Sequence, residues 1–177
     1  MITYELAILI GLIILLIYAL FALLLKTNPK KIITICIFIA YLTVVATITL
    51  FPILIDEKIE YFGDITWYNI IPFRTITGIL QNGLDITSII QILGNILIAV
   101  PYGVFVLLLL QNPNWWKMLL LAFAFTASIE LSQLTIGLLI DNMYRNVDID
   151  DIILNMLGVY FGYLIYKVLP KRIKRPQ

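Results

Sequence analysis

The chain has 177 residues, of which 62% are hydrophobic and only 13% are charged, and its formal net charge is +1. This composition excludes an ordinary water-soluble domain and is typical of an integral membrane protein. The chain has no histidine and one cysteine, Cys36, which lies in an apolar segment. Histidine-dependent nucleophilic sites, histidine-ligated zinc and an intrachain disulfide are therefore excluded.

Five apolar segments are long enough to cross a hydrocarbon layer, which requires about 20 residues in an α-helix. They cover roughly residues 5–25, 32–55, 89–110, 117–139 and 152–169. The first has neither a basic leader nor a small-residue cleavage signature, so we expect a retained helix rather than a signal peptide. The predicted fold is an all-α integral membrane protein, with residues 1–177 forming a single membrane domain.

Charged residues are distributed unevenly between the two sides that five alternating helices would define. Most basic residues fall on the side of the 26–31 connection, Lys117 and the C-terminal tail, and almost all acids fall on the other side. The positive-inside rule makes the basic side cytoplasmic and predicts an N-out, C-in topology. Because topology and anionic lipid account for the basic tail, we expect membrane lipid and no nucleic acid as partner.

The connection at residues 56–88 is more than a simple turn. Aromatic and apolar residues are mixed at Trp67–Phe73, and this mixture suits the membrane–water boundary. We therefore expect an interfacial or re-entrant segment in this connection. Pro72 lacks a backbone donor and disfavours helix at the residue before it. The sequence predicts an extended or turned piece over Asn69–Pro72, followed by a helix over Phe73–Leu80.

Several polar residues lie inside or beside the apolar segments. Glu130 is the only acid within one of them, and a charged side chain at membrane depth is rare without a partner or a function. Asp148 and Asp150 stand at the start of the fifth segment, where carboxylates cap free backbone N–H groups. Gly158 and Gly162 continue the stripe of Asp151 and Asn155 on that helix and permit close approach of another helix.

Helix length and rise place these polar groups in the outer half of the membrane, where they could meet. We predict a polar cavity open to the outside. Its expected binding residues are Asn69, Arg74, Asn95, Glu130, Gln133, Arg145, Asp148, Asp151 and Asn155. Two alternatives remain open: Glu130 could form a purely structural ion pair with an arginine, and the aspartates could act only as helix caps.

Four sequence blocks carry a family resemblance. They are NIIPF at Asn69–Phe73, GNILIAVPYG at Gly94–Gly103, ELSQ at Glu130–Gln133 and RNVDIDDIILNMLG at Arg145–Gly158. In this order and spacing they resemble the VanZ-like membrane protein family, over about residues 51–166. The resemblance implies a multi-pass protein of the bacterial cytoplasmic membrane, associated with resistance to the glycopeptide teicoplanin. It implies site positions rather than a reaction.

Three functions of different class fit these observations. The favoured one is non-enzymatic binding of a lipid-linked cell-wall precursor or a lipoglycopeptide, whose phosphate or carboxylate would meet an arginine. The second is an enzyme that modifies a lipid or glycan, with Glu130 and Asp151 as candidate catalytic acid and base. The third is a small proton-coupled transporter that uses Glu130, although no internal repeat is evident. We predict no cofactor and no metal site, since the Asp148–Asp151 acids lack the EF-hand ligand series.

Overall fold

The computed structural model describes residues 1–55, 68–83, 85–110 and 114–170. Within these ranges, five helices are long and apolar enough to cross a membrane, and a sixth is shorter. The long helices are α1 (Tyr4–Leu24), α2 (Pro29–Leu50), α4 (Ile86–Leu110), α5 (Trp115–Leu139) and α6 (Ile149–Val168), and the short one is α3 (Arg74–Asn82). This architecture confirms the predicted all-α membrane fold with five spans.

The long helices alternate in direction, so the molecule has two chemically different ends. At one end, Arg145 donates to the Phe51 carbonyl and so joins the C-terminus of α2 to the segment before α6. At the other end, Trp115 of α5 and Lys167 of α6 line the same groove. We call the first the acidic end, with Glu5, Asp85, Asp141, Asp148, Asp150 and Asp151 as its described acids. We call the second the basic end, with Lys26, Lys30, Lys31, Lys117 and Lys167 as its described lysines.

The centre of the fold is the contact between α4 and α6, and it depends on glycine. A Cβ atom added to Gly158 would lie 2.1 Å from the Ile96 carbonyl oxygen, and one added to Gly162 would lie 2.1 Å from the Val100 carbonyl oxygen. Gly103 of α4 approaches the α6 backbone in the same way. The two backbones are therefore in direct contact, as the glycine stripe predicts, because small residues allow membrane helices to approach closely.

A side chain of α2 binds α4 in the turn that precedes Pro101. Pro101 cannot donate the backbone hydrogen bond that a helix interior requires, and its ring crowds the preceding turn. In that turn, the Tyr41 hydroxyl donates to the Ile98 carbonyl at 2.7 Å. This hydrogen bond therefore links α2 to α4. The α1 helix packs mainly on α2, where Gly11 lies directly against Thr43.

A short parallel bridge organises the acidic end. Strand β1 (Tyr68–Asn69) pairs with strand β2 (Val147–Asp148), with Tyr68 opposite Val147 and Asn69 opposite Asp148. The chain then turns, and the Asn69 side-chain oxygen accepts a hydrogen bond from the Ile71 N–H at 3.0 Å. Helix α3 follows at nearly the predicted position. Trp67 and the rest of the predicted interfacial residues at 56–67 lie outside the described residues.

Candidate functional site

Asp148 is the centre of a buried hydrogen-bond network at the acidic end. As the N-cap of α6, its side chain accepts from the Asp150 N–H at 2.8 Å. The same carboxylate accepts from the Asn69 amide at 2.8 Å and from the Thr75 hydroxyl at 2.5 Å. Asp148 is only 1% exposed. The predicted helix cap is therefore present. The Asp148 carboxylate has two further partners, Asn69 of β1 and Thr75 of α3.

Asp150 caps a different helix from the one that contains it. Its carboxylate accepts backbone hydrogen bonds from Phe73, from Thr75 at 2.8 Å and from Ile76 at 3.1 Å. Helix α3 has no side-chain cap of its own, because its N-cap position is Phe73, which adopts a left-handed conformation with φ of 65°. Asp150, which is fully buried, thus supplies the carboxylate that complements the positive end of α3.

Glu130 extends this network from α5. Its carboxylate accepts a hydrogen bond from the Asp148 N–H at 3.0 Å, and the residue is 4% exposed. Arg74 is exposed and Arg145 lies elsewhere, so neither forms the alternative ion pair within the described residues. Glu130 instead joins α5 to the start of α6 through the backbone.

Two predicted site residues lie at the C-terminus of α2 rather than beside the carboxylates. Arg145 donates to the Ile48 and Phe51 carbonyls at 3.3 and 2.9 Å, and Gln133 donates to the Thr49 carbonyl at 2.9 Å. The last carbonyls of a helix lack intrahelical partners and carry partial negative charge, which explains why these donors lie there. The Tyr144 hydroxyl donates to the Leu50 carbonyl at 2.9 Å at the same helix end, and burial raises the pKa of this hydroxyl.

The part of the site that a ligand could reach lies between α4 and α6. The Asn95 amide donates to the Asp151 carboxylate at 2.6 Å, and both residues are only partly buried. The exposed Gln91 amide, one turn before Asn95, also interacts with this carboxylate. We call Gln91, Asn95 and Asp151 the polar rim. Gln91 was not among the predicted site residues, although its four-residue spacing from Asn95 places both on one helix face.

Asn155 lies one turn below the polar rim on α6. It is 2% exposed, and its Oδ1 atom has no hydrogen-bond partner among the described residues. Neither Thr75 nor the role of Asp150 in capping α3 was predicted, because both depend on contacts with residues more than 70 positions away. No local signal in the sequence could have revealed them.

Burial divides the polar residues of this region into enclosed ones and accessible ones. Glu130, Asp148 and Asp150, which we call the carboxylate cluster, are almost entirely enclosed, and so are Asn69 and Asn155. Within the described part of the chain, no three acids or cysteines converge closely enough to hold a metal ion. A ligand could reach the polar rim and the exposed Arg74, while the carboxylate cluster holds their supporting elements in place.

Comparison with known proteins identifies the family. Residues 38–170 match the family model described as VanZ/LLP1. No curated protein and no solved structure matches the chain. The matched region covers most of the sequence and contains all four blocks noted above, including the carboxylate cluster and the polar rim. It confirms the family resemblance and extends it beyond residues 51–166 at both ends. The chain therefore belongs to the VanZ/LLP1 family.

Proposed function

We propose that this multi-pass membrane protein binds an amphiphilic cell-envelope ligand at its acidic end and thereby affects susceptibility to teicoplanin. The ligand class is a lipid-linked cell-wall precursor or a lipoglycopeptide. This proposal rests on the contacts of the Asp148 and Asp150 carboxylates with the segment before and at the start of α3. These contacts place an exposed apolar turn beside the part of α6 that contains Asp151. An amphiphile requires both apolar and polar surfaces.

The apolar surface is the turn before α3. Ile70, Ile71 and Phe73 are exposed by 73%, 54% and 56%, although each is a large hydrophobic residue. Backbone N–H groups of this turn are bound by Asn69 and by Asp150, so its shape is fixed by buried partners. Exposed apolar groups beside membrane-spanning helices suit contact with acyl chains at the lipid boundary.

The polar surface supplies groups of both charges. Arg74, exposed at the start of α3, offers a planar set of donors that matches a phosphate or carboxylate. Asp151 offers a carboxylate for hydroxyl or amino groups, and Asn95 holds it in position. Because buried hydrogen bonds within the protein hold the supporting elements, less conformational freedom would be lost on binding.

Glu130 has a supporting role in this proposal rather than a catalytic one. It is buried, and it accepts a backbone hydrogen bond from the cap residue of α6. The hydrogen bond to the α6 cap favours a structural function, because it ties this carboxylate to the start of α6. Among the described residues, no contact of Glu130 specifically favours the enzyme or the transporter hypothesis.

The test is drug susceptibility in a sensitive Gram-positive host that carries empty vector, the wild type, Asp151→Asn or Glu5→Gln at matched membrane levels. Glu5→Gln is the control, since it makes the same type of change at the acidic end but on α1. Teicoplanin has an acyl chain and vancomycin does not. We expect the wild type and Glu5→Gln to protect selectively against teicoplanin, and Asp151→Asn to lose protection. Equal behaviour of all strains, or equal protection against both drugs, would contradict the proposal.

A further inference from the structure

A groove of about 430 Å³ lies between α5 and α6 and extends to the basic end, where Trp115 and Lys167 line it. Its volume falls within the range of about 300–1,000 Å³ that is usual for ligand sites. The described residues that line it include Trp115, Met118, Ala122, Val159, Tyr163 and Lys167. The proposed binding of a cell-envelope ligand at the acidic end does not use this groove.

The length of the groove matches one leaflet of a membrane. Along α6 it extends from Met156 to Lys167, and 11 residues of helix correspond to about 16 Å. The hydrocarbon layer is about 30 Å thick, so the groove covers about half of it. Its floor is apolar, because Ala122 and Val159 are buried there. An occupant at this depth must therefore present hydrocarbon.

The mouth of the groove has the chemistry of the membrane surface. Lys167 is the only charged side chain among the described lining residues, and its Nζ lies 4.6 Å from the centre of the Tyr163 ring. Trp115, 65% exposed, lines the same end, where an indole ring suits the lipid headgroup level. Every charged residue described at the basic end is a lysine, so the complementary headgroup is an anion.

We propose that this groove binds an anionic glycerophospholipid. One acyl chain lies along the floor formed by Ala122 and Val159, and the headgroup phosphate accepts a hydrogen bond from Lys167. Tyr163 holds the ammonium at the mouth through its ring face. The site differs from general attraction of lipid to the basic end, because it combines one located charge with a fitted apolar channel.

The first test measures lipid binding by the purified full-length protein in detergent, using native mass spectrometry with phosphatidylglycerol and phosphatidylcholine of identical acyl chains. We expect the wild type to prefer phosphatidylglycerol and Lys167→Gln to bind it about fivefold more weakly, since one basic residue near a membrane surface contributes about 1 kcal/mol. Lys31→Gln is the matched control, at the same end but outside the groove. Equal binding of both lipids, or an equal loss in both variants, would overturn the proposal.

The second test fills the groove without changing charge. Leu119 lines the groove and is 41% exposed, whereas its neighbour Leu120 is 66% exposed and does not line it. We expect Leu119→Trp to weaken phosphatidylglycerol binding and Leu120→Trp to leave it unchanged. Both substitutions alter exposed positions of one helix, so each variant should fold. If the two variants bind phosphatidylglycerol as the wild type does, the acyl chain does not occupy this groove.

Discussion

The substitution Asp150→Asn tests the most specific structural feature of the acidic end, the capping of α3 by a carboxylate of α6. The Asp150 side chain accepts three backbone hydrogen bonds, one on Oδ1 and two on Oδ2. An asparagine has one acceptor oxygen, so its amide nitrogen must face at least one backbone N–H group. A donor then meets a donor inside a fully buried site.

The expected loss follows from these contacts. Hydrogen bonds to a charged group contribute about 1.5–3 kcal/mol and neutral ones about 0.5–1.5 kcal/mol, and a buried donor left without an acceptor costs about 1–3 kcal/mol. For the Asp150 site, we expect α3 to lose about 2–4 kcal/mol of local stability. Because α3 packs mainly on α6, the helix should open locally while the membrane-spanning helices stay folded.

Hydrogen exchange of the backbone amides measures this opening. In wild type and variant, both reconstituted in nanodiscs, the loss should speed exchange at Arg74–Asn82 roughly 30- to 700-fold, since about 1.4 kcal/mol corresponds to a factor of ten. Asp85→Asn is the control, because Asp85 accepts from the Ser88 N–H at 2.7 Å in an exposed position and asparagine caps a helix equally well. Unchanged exchange in α3, or the same effect from Asp85→Asn in α4, would contradict the capping of α3 by Asp150.

Three further predictions concern packing, hydrogen bonding and pH. Gly162→Ala should lower the free energy of unfolding in a detergent titration by about 1–3 kcal/mol, because its Cβ would meet the α4 backbone. Gly94→Ala, with open space around it, should be neutral or slightly stabilising, and equal effects would contradict this account of packing. Tyr41→Phe should remove about 1 kcal/mol in the same titration, because the hydrogen bond between Tyr41 and the Ile98 carbonyl is lost; an unchanged unfolding midpoint would contradict this role of Tyr41. Burial raises the pKa of Tyr144, so its stabilising contribution is present below about pH 10 and declines as pH rises through its folded-state pKa. The loss of stability at high pH should be smaller in Tyr144→Phe than in the wild type. An identical dependence of stability on pH in the two proteins would contradict this prediction.

The membrane-spanning helices could be predicted because hydropathy and local rules act within each segment. Their ends also follow local chemistry, although the predicted boundaries were several residues off. Helix α2 begins at Pro29 after the Asn28 cap, three residues before the predicted start near residue 32. It ends at Leu50, two residues before Pro52, rather than near residue 55. The cap at Asp148 likewise sets the start of α6.

The arrangement of the polar residues could be predicted only in part. Sequence spacing correctly brought Asp148 to the start of α6 and Asp151 to the helix face that meets α4. It could not show that Asp150 points to the turn before α3, because the β1–β2 pairing sets that contact. Sequence spacing also could not predict that Arg145 binds the end of α2, since the carbonyls that Arg145 binds lie more than 90 positions earlier. Local patterns carry no information on such distant partners.

The orientation of the protein in the membrane remains a prediction from its charge distribution. The structure separates the described lysines from most of the described acids, which is the arrangement that the prediction requires. Cysteine-accessibility labelling in intact cells would determine the orientation directly. With an N-out, C-in topology, the polar rim faces the cell exterior, where teicoplanin and lipid-linked precursors would meet it.

Direct ligand binding tests the central claim that the acidic end recognises an amphiphilic envelope ligand. The measurement titrates teicoplanin, vancomycin and a lipid-linked cell-wall precursor against the wild type and Asp151→Asn in nanodiscs of one lipid composition. We expect the wild type to bind teicoplanin or the precursor in preference to vancomycin, and Asp151→Asn to bind about tenfold more weakly, as expected for one lost charge-assisted hydrogen bond. Equal affinity of wild type and variant for the acylated ligands, or no binding of any of them, would contradict this claim.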